Sequence, residues 1–287
     1  MISIIQIIKF SAPVAFGAIG ESAVQRSGII NVGLEGLMLG SAFSATMVAS
    51  STGNLWLGLL AGIGIGVVIA LFLGLLTIKF GLDQIVVGTA INLLALGACG
   101  TLFEKQTSTG RSINLPALPT LFGSVDIILC ILILSAIAVG YILYRTPFGL
   151  KLRATGEYPD AIVAAGFNPA KLRYQALIIG GILGGLGGAY LAIGINQSFT
   201  AGMVAGRGFI AIALVTFARW RPIGILLSAL MLGLFDVLQF ELQMSGSQFP
   251  RALILALPYV ATLIILIVVG KGTRAPQSLG VPLQENQ

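Results

Sequence analysis

Asp126-Ile-Ile-Leu-Cys-Ile-Leu-Ile-Leu-Ser-Ala-Ile-Ala-Val-Gly-Tyr-Ile-Leu-Tyr-Arg145 carries no charged side chain between its two ends. As a helix, Ile127 to Tyr144 reaches roughly 27 Å, close to the ~30 Å of a bilayer's hydrocarbon core. Comparable runs lie on either side. Gln84 to Phe103 is bounded by Asp83 and Glu104, and Ala252 to Gly270 by Arg251 and Lys271. Tyr174 to Gly206 is uncharged, with Asn196-Gln197-Ser198 as an exit from the membrane. Gly36 to Ile78 is too long for one crossing, and Ser50-Ser51-Thr52-Gly53-Asn54 divides it. Met1 to Gly20 makes a first span that contains Lys9, and Pro222 to Glu241 makes another around Asp236. Gly208 to Ala218 has only 11 uncharged residues, which suits a shallow, tilted or re-entrant helix. The expectation is an all-α integral membrane protein of eight or nine transmembrane helices, forming a single domain over residues 1–287.

Composition agrees. The chain is 56% hydrophobic and 9% charged, with a mean hydropathy of +1.00, against roughly 25% charged residues in soluble domains. That excludes a water-soluble enzyme, and the apolar content excludes disorder. Histidine is absent, and Cys99 and Cys130 both lie in apolar runs, so neither a metal site nor a catalytic residue set is expected. The 38 glycines point to close helix packing.

Charge sets the direction. With nine spans, 11 of the 16 basic residues fall on one side, near Arg26, Lys79, Arg145 to Arg173, Arg219/Arg221 and Lys271/Arg274. The opposite loops hold only Lys105 and Arg111. By the positive-inside rule the N-terminus is outside and the C-terminus cytoplasmic. The net charge of +6 is therefore loop charge in a cell-membrane protein, with no nucleic-acid partner implied. A signal peptide is not expected, since the first segment lacks a basic start and a small-residue cleavage site.

The longest loop on the basic side is Arg145 to Arg173. Within it Pro159 suits a first helical position, Asp160 the positive end of the helix dipole, and Gly166 a left-handed stop. Asn168-Pro169 offers a cap for the next span. The expectation is one helix of about two turns on the cytoplasmic face, mostly apolar and fitted to dock into a partner.

Thr146-Pro-Phe-Gly-Leu-Lys-Leu-Arg153-Ala-Thr-Gly-Glu157-Tyr-Pro-Asp-Ala resembles the cytoplasmic signature of ABC-transporter permeases of the branched-chain amino acid/ribose-type superfamily. Gly28-Ile-Ile-Asn31-Val-Gly-Leu-Glu35-Gly and Ser198-Phe-Thr-Ala-Gly-Met-Val-Ala-Gly-Arg-Gly208-Phe-Ile-Ala narrow the resemblance to the nucleoside permeases that work with a basic-membrane-protein-like lipoprotein. The similarity runs from about residue 10 to 270. In place of the Gly-Gly pair usual after the short segment stands Ala218-Arg219. The resemblance implies a coupling helix at Pro159, Asp160, Ala161, Ala164 and Gly166, framed by Arg153, Gly156 and Glu157, and seated on a separate ATPase subunit. It also implies a second permease, encoded as a different chain, and an extracellular binding lipoprotein. No P-loop is present, so ATP and Mg²⁺ belong to the partner and no cofactor is expected on this chain.

Polar residues inside spans face a cavity or a partner helix. Asn31 and Glu35, four apart, are read as sharing a helix face, with Glu35 either capping or pairing locally, as with Arg26, or lining the path. Gln84 and Asn92 fall on one face of another span, and Asp236 and Gln239 on one face of a third. Each pair is a path candidate, with helix–helix hydrogen bonding or subunit contact as the alternative. Gly33-Leu-Glu-Gly and Gly206-Arg-Gly-Phe each open an apolar run, which hints at an internal repeat. Sugar or branched-chain amino-acid cargo stays open beside nucleosides. A stand-alone secondary transporter or channel would carry more buried acids than this sequence has, and an intramembrane enzyme would carry a nucleophile or acid pair.

Overall fold

The computed structural model describes residues 3–107, 115–122, 125–244, 250, 253–257, 260, 263 and 274–283. The helices in order are α1 (Ile4–Arg26), α2 (Leu34–Thr52), α3 (Leu55–Gly74, continuing as a π-turn to Lys79), α4 (Gln84–Thr107) and α5 (Ile127–Arg145). There follow α6 (Pro147–Glu157), α7 (Pro159–Ala164), α8 (Pro169–Tyr190, with a π-turn to Asn196), α9 (Arg207–Phe217) and α10 (Pro222–Met244). Among the described residues six of these, α1, α3, α4, α5, α8 and α10, are long and apolar enough to cross a membrane. The expected span at 252–270 lies largely outside the described residues.

Helix ends follow from side-chain caps. Gly53 takes φ +68, and the Asn54 carboxamide accepts from Trp56 and Leu57 N–H, which divides α2 from α3 at the polar break. Asp83 caps α4 through the N–H groups of Ile85 and Val86, both at 2.9 Å. Two expectations need correcting. The protein is not wholly α: Thr120–Phe122 (β1) and Val125–Asp126 (β2) form a small antiparallel ladder before α5. The loop between Arg145 and Arg173 holds two helices, because Thr146 caps α6 at Gly149 N–H (3.1 Å) with Pro147 in the first turn, the same signal that Pro159 gives α7.

α8 is the centre, packed against α1, α2 and α3. Its glycines allow this. A Cβ on Gly181 would lie 2.8 Å from Val67 Cα, one on Gly185 2.9 Å from Gly62 O, and one on Gly184 2.9 Å from Leu34. α4, α5 and α10 lie outside, where Val86, Leu93, Leu134 and Ile223 are each 65–67% exposed. Water would make that surface costly, as lipid or a partner's apolar surface would not. Lys9 meets Asp126 at 3.1 Å, and Asp126 also accepts from the Tyr190 hydroxyl at 3.1 Å. One charge inside the first span is thus neutralised at the head of α5.

The packing predicts unequal effects of adding a side chain. Gly66 meets Gly181 O at 2.5 Å if given a Cβ, while Gly64 meets nothing. Gly66→Val is expected to lower the melting temperature in detergent, at a cost of about 1–3 kcal/mol or more, and Gly64→Val to leave it near wild type.

Candidate functional site

The polar residues converge on the N-terminus of α9. α9 has 11 residues, roughly 16 Å, half the hydrocarbon thickness. Arg207 shares a cavity with Val14 in the middle of α1, whereas the Trp220 indole N–H donates to Gln25 Oε1 near the end of α1 (2.9 Å). α9 therefore accompanies only the second half of α1 and starts deep inside the bundle. There its first N–H groups need acceptors. Gly206, its N-cap, has no side chain to offer. Glu35 serves instead: Oε1 accepts from Gly206 N–H and Oε2 from Gly208 N–H, both at 2.7 Å. A negative charge also suits the positive end of the helix dipole. Gly208 permits the approach, since a Cβ there would lie 2.5 Å from Glu35 N.

The other candidates gather on both sides of this contact. Asn31 is buried, but it precedes α2 rather than lying on it, so its four-residue spacing to Glu35 is not a helical one. Its N–H donates to Glu21 Oε1 at 3.0 Å. Gln84 and Asn92 both face this stretch: Gln84 Oε1 accepts from Ile30 N–H (2.8 Å), and Asn92 accepts from Gly36 N–H (2.8 Å) and donates to Val32 O (2.9 Å). Asp236 and Gln239 stand across α9, lining a cavity of about 240 Å³ with Arg207. Arg207 Nη2 lies 3.7 Å from Asp236 Oδ2. Gly206 to Gly208 thus joins the two groups. Gly33 and Gly206, the openings of the two similar motifs, are N-caps of neighbouring helices, α2 and α9.

In the loop between α5 and α8, α7 buries only Ile162. Asp160, Ala161, Val163, Ala164, Gly166 and Phe167 are exposed, and Gly166 takes φ +79. Tyr158, Val163 and Phe167 leave a large apolar face on and beside α7. Arg153 stacks on the Tyr144 ring at 5.2 Å. Gly156 fits against Arg26 O and Gly28 N because it lacks a Cβ. Arg26 pairs not with Glu35 but with Glu157, at 3.9 Å.

Sequence reasoning missed Glu21, 1% exposed, whose Oε1 also accepts from Gln25 at 3.2 Å. An acid inside the first apolar helix was the available signal. It missed Arg207 as a partner of Asp236 as well, although a charge opening an 11-residue apolar run marks it. At the Ala218-Arg219 departure, Arg219 and Trp220 adopt φ +51 and +58, positions that glycine would occupy without strain. Among the described residues no group of His, Cys, Asp and Glu could hold a metal ion.

Glu35→Ala leaves two N–H groups at the buried end of α9 without acceptors. The expected loss is about 1–3 kcal/mol for each, seen as a fall in detergent melting temperature, with Glu35→Gln falling less. Arg219→Gly is expected to raise that temperature, by the roughly 1–2 kcal/mol of left-handed strain it removes.

A family described as branched-chain amino acid transport system / permease component matches residues 3–270. The chain is similar to the guanosine ABC transporter permease protein NupQ of Bacillus subtilis (strain 168), 35% identical over 96% of this chain and 94% of that protein. It is 34% identical to the nucleoside ABC transporter permease protein NupC of Lactococcus lactis subsp. cremoris (strain MG1363), over 98% and 96% of the two chains. TsgC13 of Haloferax volcanii, whose name refers to glucose, is 33% identical over 82% of this chain and 76% of its own.

Proposed function

The chain belongs to the branched-chain amino acid transport system permease family, and on that premise we propose that it is the nucleoside-conducting half of an ATP-driven importer. It is a multi-pass protein of the cell membrane and a transport subunit. Nucleoside cargo is supported by the names of the two relatives that align over nearly the whole chain. The observation that carries the reading is α7, where Val163 is exposed beside the acid Asp160 and the partly exposed Phe167 ring carries the Lys151 ammonium 3.8 Å from its centre. On this reading α7, with Arg153, Gly156, Glu157, Pro159, Asp160, Ala161, Ala164 and Gly166, is the coupling element that an ATPase subunit grips. ATP and Mg²⁺ are held there, and this chain binds no cofactor.

In this proposal eight or nine segments cross the bilayer, with the N-terminus outside and α6–α7 in the cytoplasm, as the loop charges favour. α9 counts as a half-crossing. Its mid-bundle start at Glu35 and the Arg207–Asp236 pair form the polar lining of the path, with Asn31, Gln84, Asn92 and Gln239. A second, related permease completes the path, and an extracellular lipoprotein delivers the solute. Residues 1–287 act as one domain.

Val163→Asp places a charge on the apolar face of α7 without touching the buried Ile162. The expected result is loss of ATPase co-purification in mild detergent and of nucleoside uptake, with membrane insertion unchanged. Retained uptake with a firmly bound ATPase would contradict the docking role. Uphill accumulation by vesicles holding this chain alone would contradict the importer reading.

A further inference from the structure

Residues 276–283 lie where three separate pieces of backbone end. α6 stops at Glu157 and leaves its last carbonyls without helical donors. Ser278 supplies them. Its N–H donates to Gly156 O at 2.9 Å, and its hydroxyl shares a proton between Gly156 O at 2.7 Å and Thr155 O at 3.1 Å. Gln277 N–H donates to the Glu157 carboxylate at 3.3 Å. Two residues on, Gly280 N–H donates to Gly28 O at 3.0 Å, in the turn after α1. From the first turns of α8, Arg173 closes the set: Nη1 donates to Val281 O (3.1 Å) and Nε to Ser27 O (3.2 Å). Its side chain is buried, 1% exposed. Glycine is required at the crossing point. Gly28 takes φ +93, and a Cβ there would lie 2.8 Å from both Arg173 Nη2 and Ser278 Oγ.

α7 itself is loosely held. Six residues are too few for a stable helix alone, and Ile162 is its one buried side chain. A push on such a helix is absorbed locally unless its base is fixed to the helices that must move. We propose that residues 276–283 are a positioning strap for energy coupling. They lock the end of α6, the α1–α2 turn and the start of α8 into one body, so that displacement at α7 reaches Asn31 and Glu35. This rests on the coupling role given to α7 above.

The test uses the complete importer in proteoliposomes and compares solute taken up per ATP hydrolysed. One variant ends after Arg274; a second, full-length, is Ser278→Pro, which removes both the N–H and the hydroxyl. Both are expected to keep the ATPase bound while transport per ATP falls by about tenfold, in the range such coupling networks show. Ser278→Thr, which retains both donors, is expected to stay within about twofold of wild type. A ratio unchanged in both disruptive variants overturns the strap. So does loss of the ATPase from them, which would make residues 276–283 part of the docking surface. Failure of the coupling reading itself shows elsewhere, as absence of ATP-driven uptake with the unaltered chain.

Discussion

A helix that begins inside a packed bundle presents its first N–H groups where no water is at hand to bond them. In this protein the demand is met by one carboxylate, Glu35, whose two oxygens each take an N–H of Gly206 and Gly208. Much else follows from that contact. α2 must bring its first turn to the start of α9, so the chain after α1 turns back into the bundle, through Gly28 at φ +93, before α2 begins. Gly208 must be bare, because Glu35 occupies the space of its side chain. Arg207, held at the same level, needs its own counter-charge, and Asp236 on α10 provides one.

The same economy governs the packing. Between helices in lipid there is little hydrophobic gain to be had, so association depends on close contact and on internal hydrogen bonds. α8 meets α1, α2 and α3 through glycines, and the backbones approach until a single methyl group would collide with a carbonyl. The periphery has no such requirement, and α4, α5 and α10 turn large aliphatic side chains outward. Close backbone packing is thus concentrated at α8, and large exposed side chains at the periphery.

Local chemistry was legible in the sequence and distant partnership was not. The break at Ser50 to Asn54, the start of α7 at Pro159 and its stop at Gly166 rest on caps and backbone preferences within a few residues, and they appear where the text places them. α6 was equally signalled by Thr146-Pro147 but was hidden by reading the loop as a single short helix. Asn31 was placed on a helix because a four-residue spacing looks helical, although Gly28 and Gly33 keep the chain out of α2 until Leu34. The partners of Glu35, Asp236 and Arg173 lie on other elements, and no spacing rule reaches them. The left-handed pair Arg219-Trp220 went unread for another reason: nothing in those residue types announces the conformation that their surroundings impose.

The reach of the Glu35 contact also bears on biosynthesis. Its acceptors are separated in the chain from Gly206 by 171 residues. At a ribosomal pace of about 5–20 residues per second, that is on the order of ten to thirty seconds. For that interval an acidic side chain has entered the insertion machinery with its eventual donors still unmade. Lys9 waits in the same way for Asp126, 117 residues later. A nascent helix released into lipid before its partner is made would carry that charge unpaired, at about 2.5–3.5 kcal/mol on insertion scales.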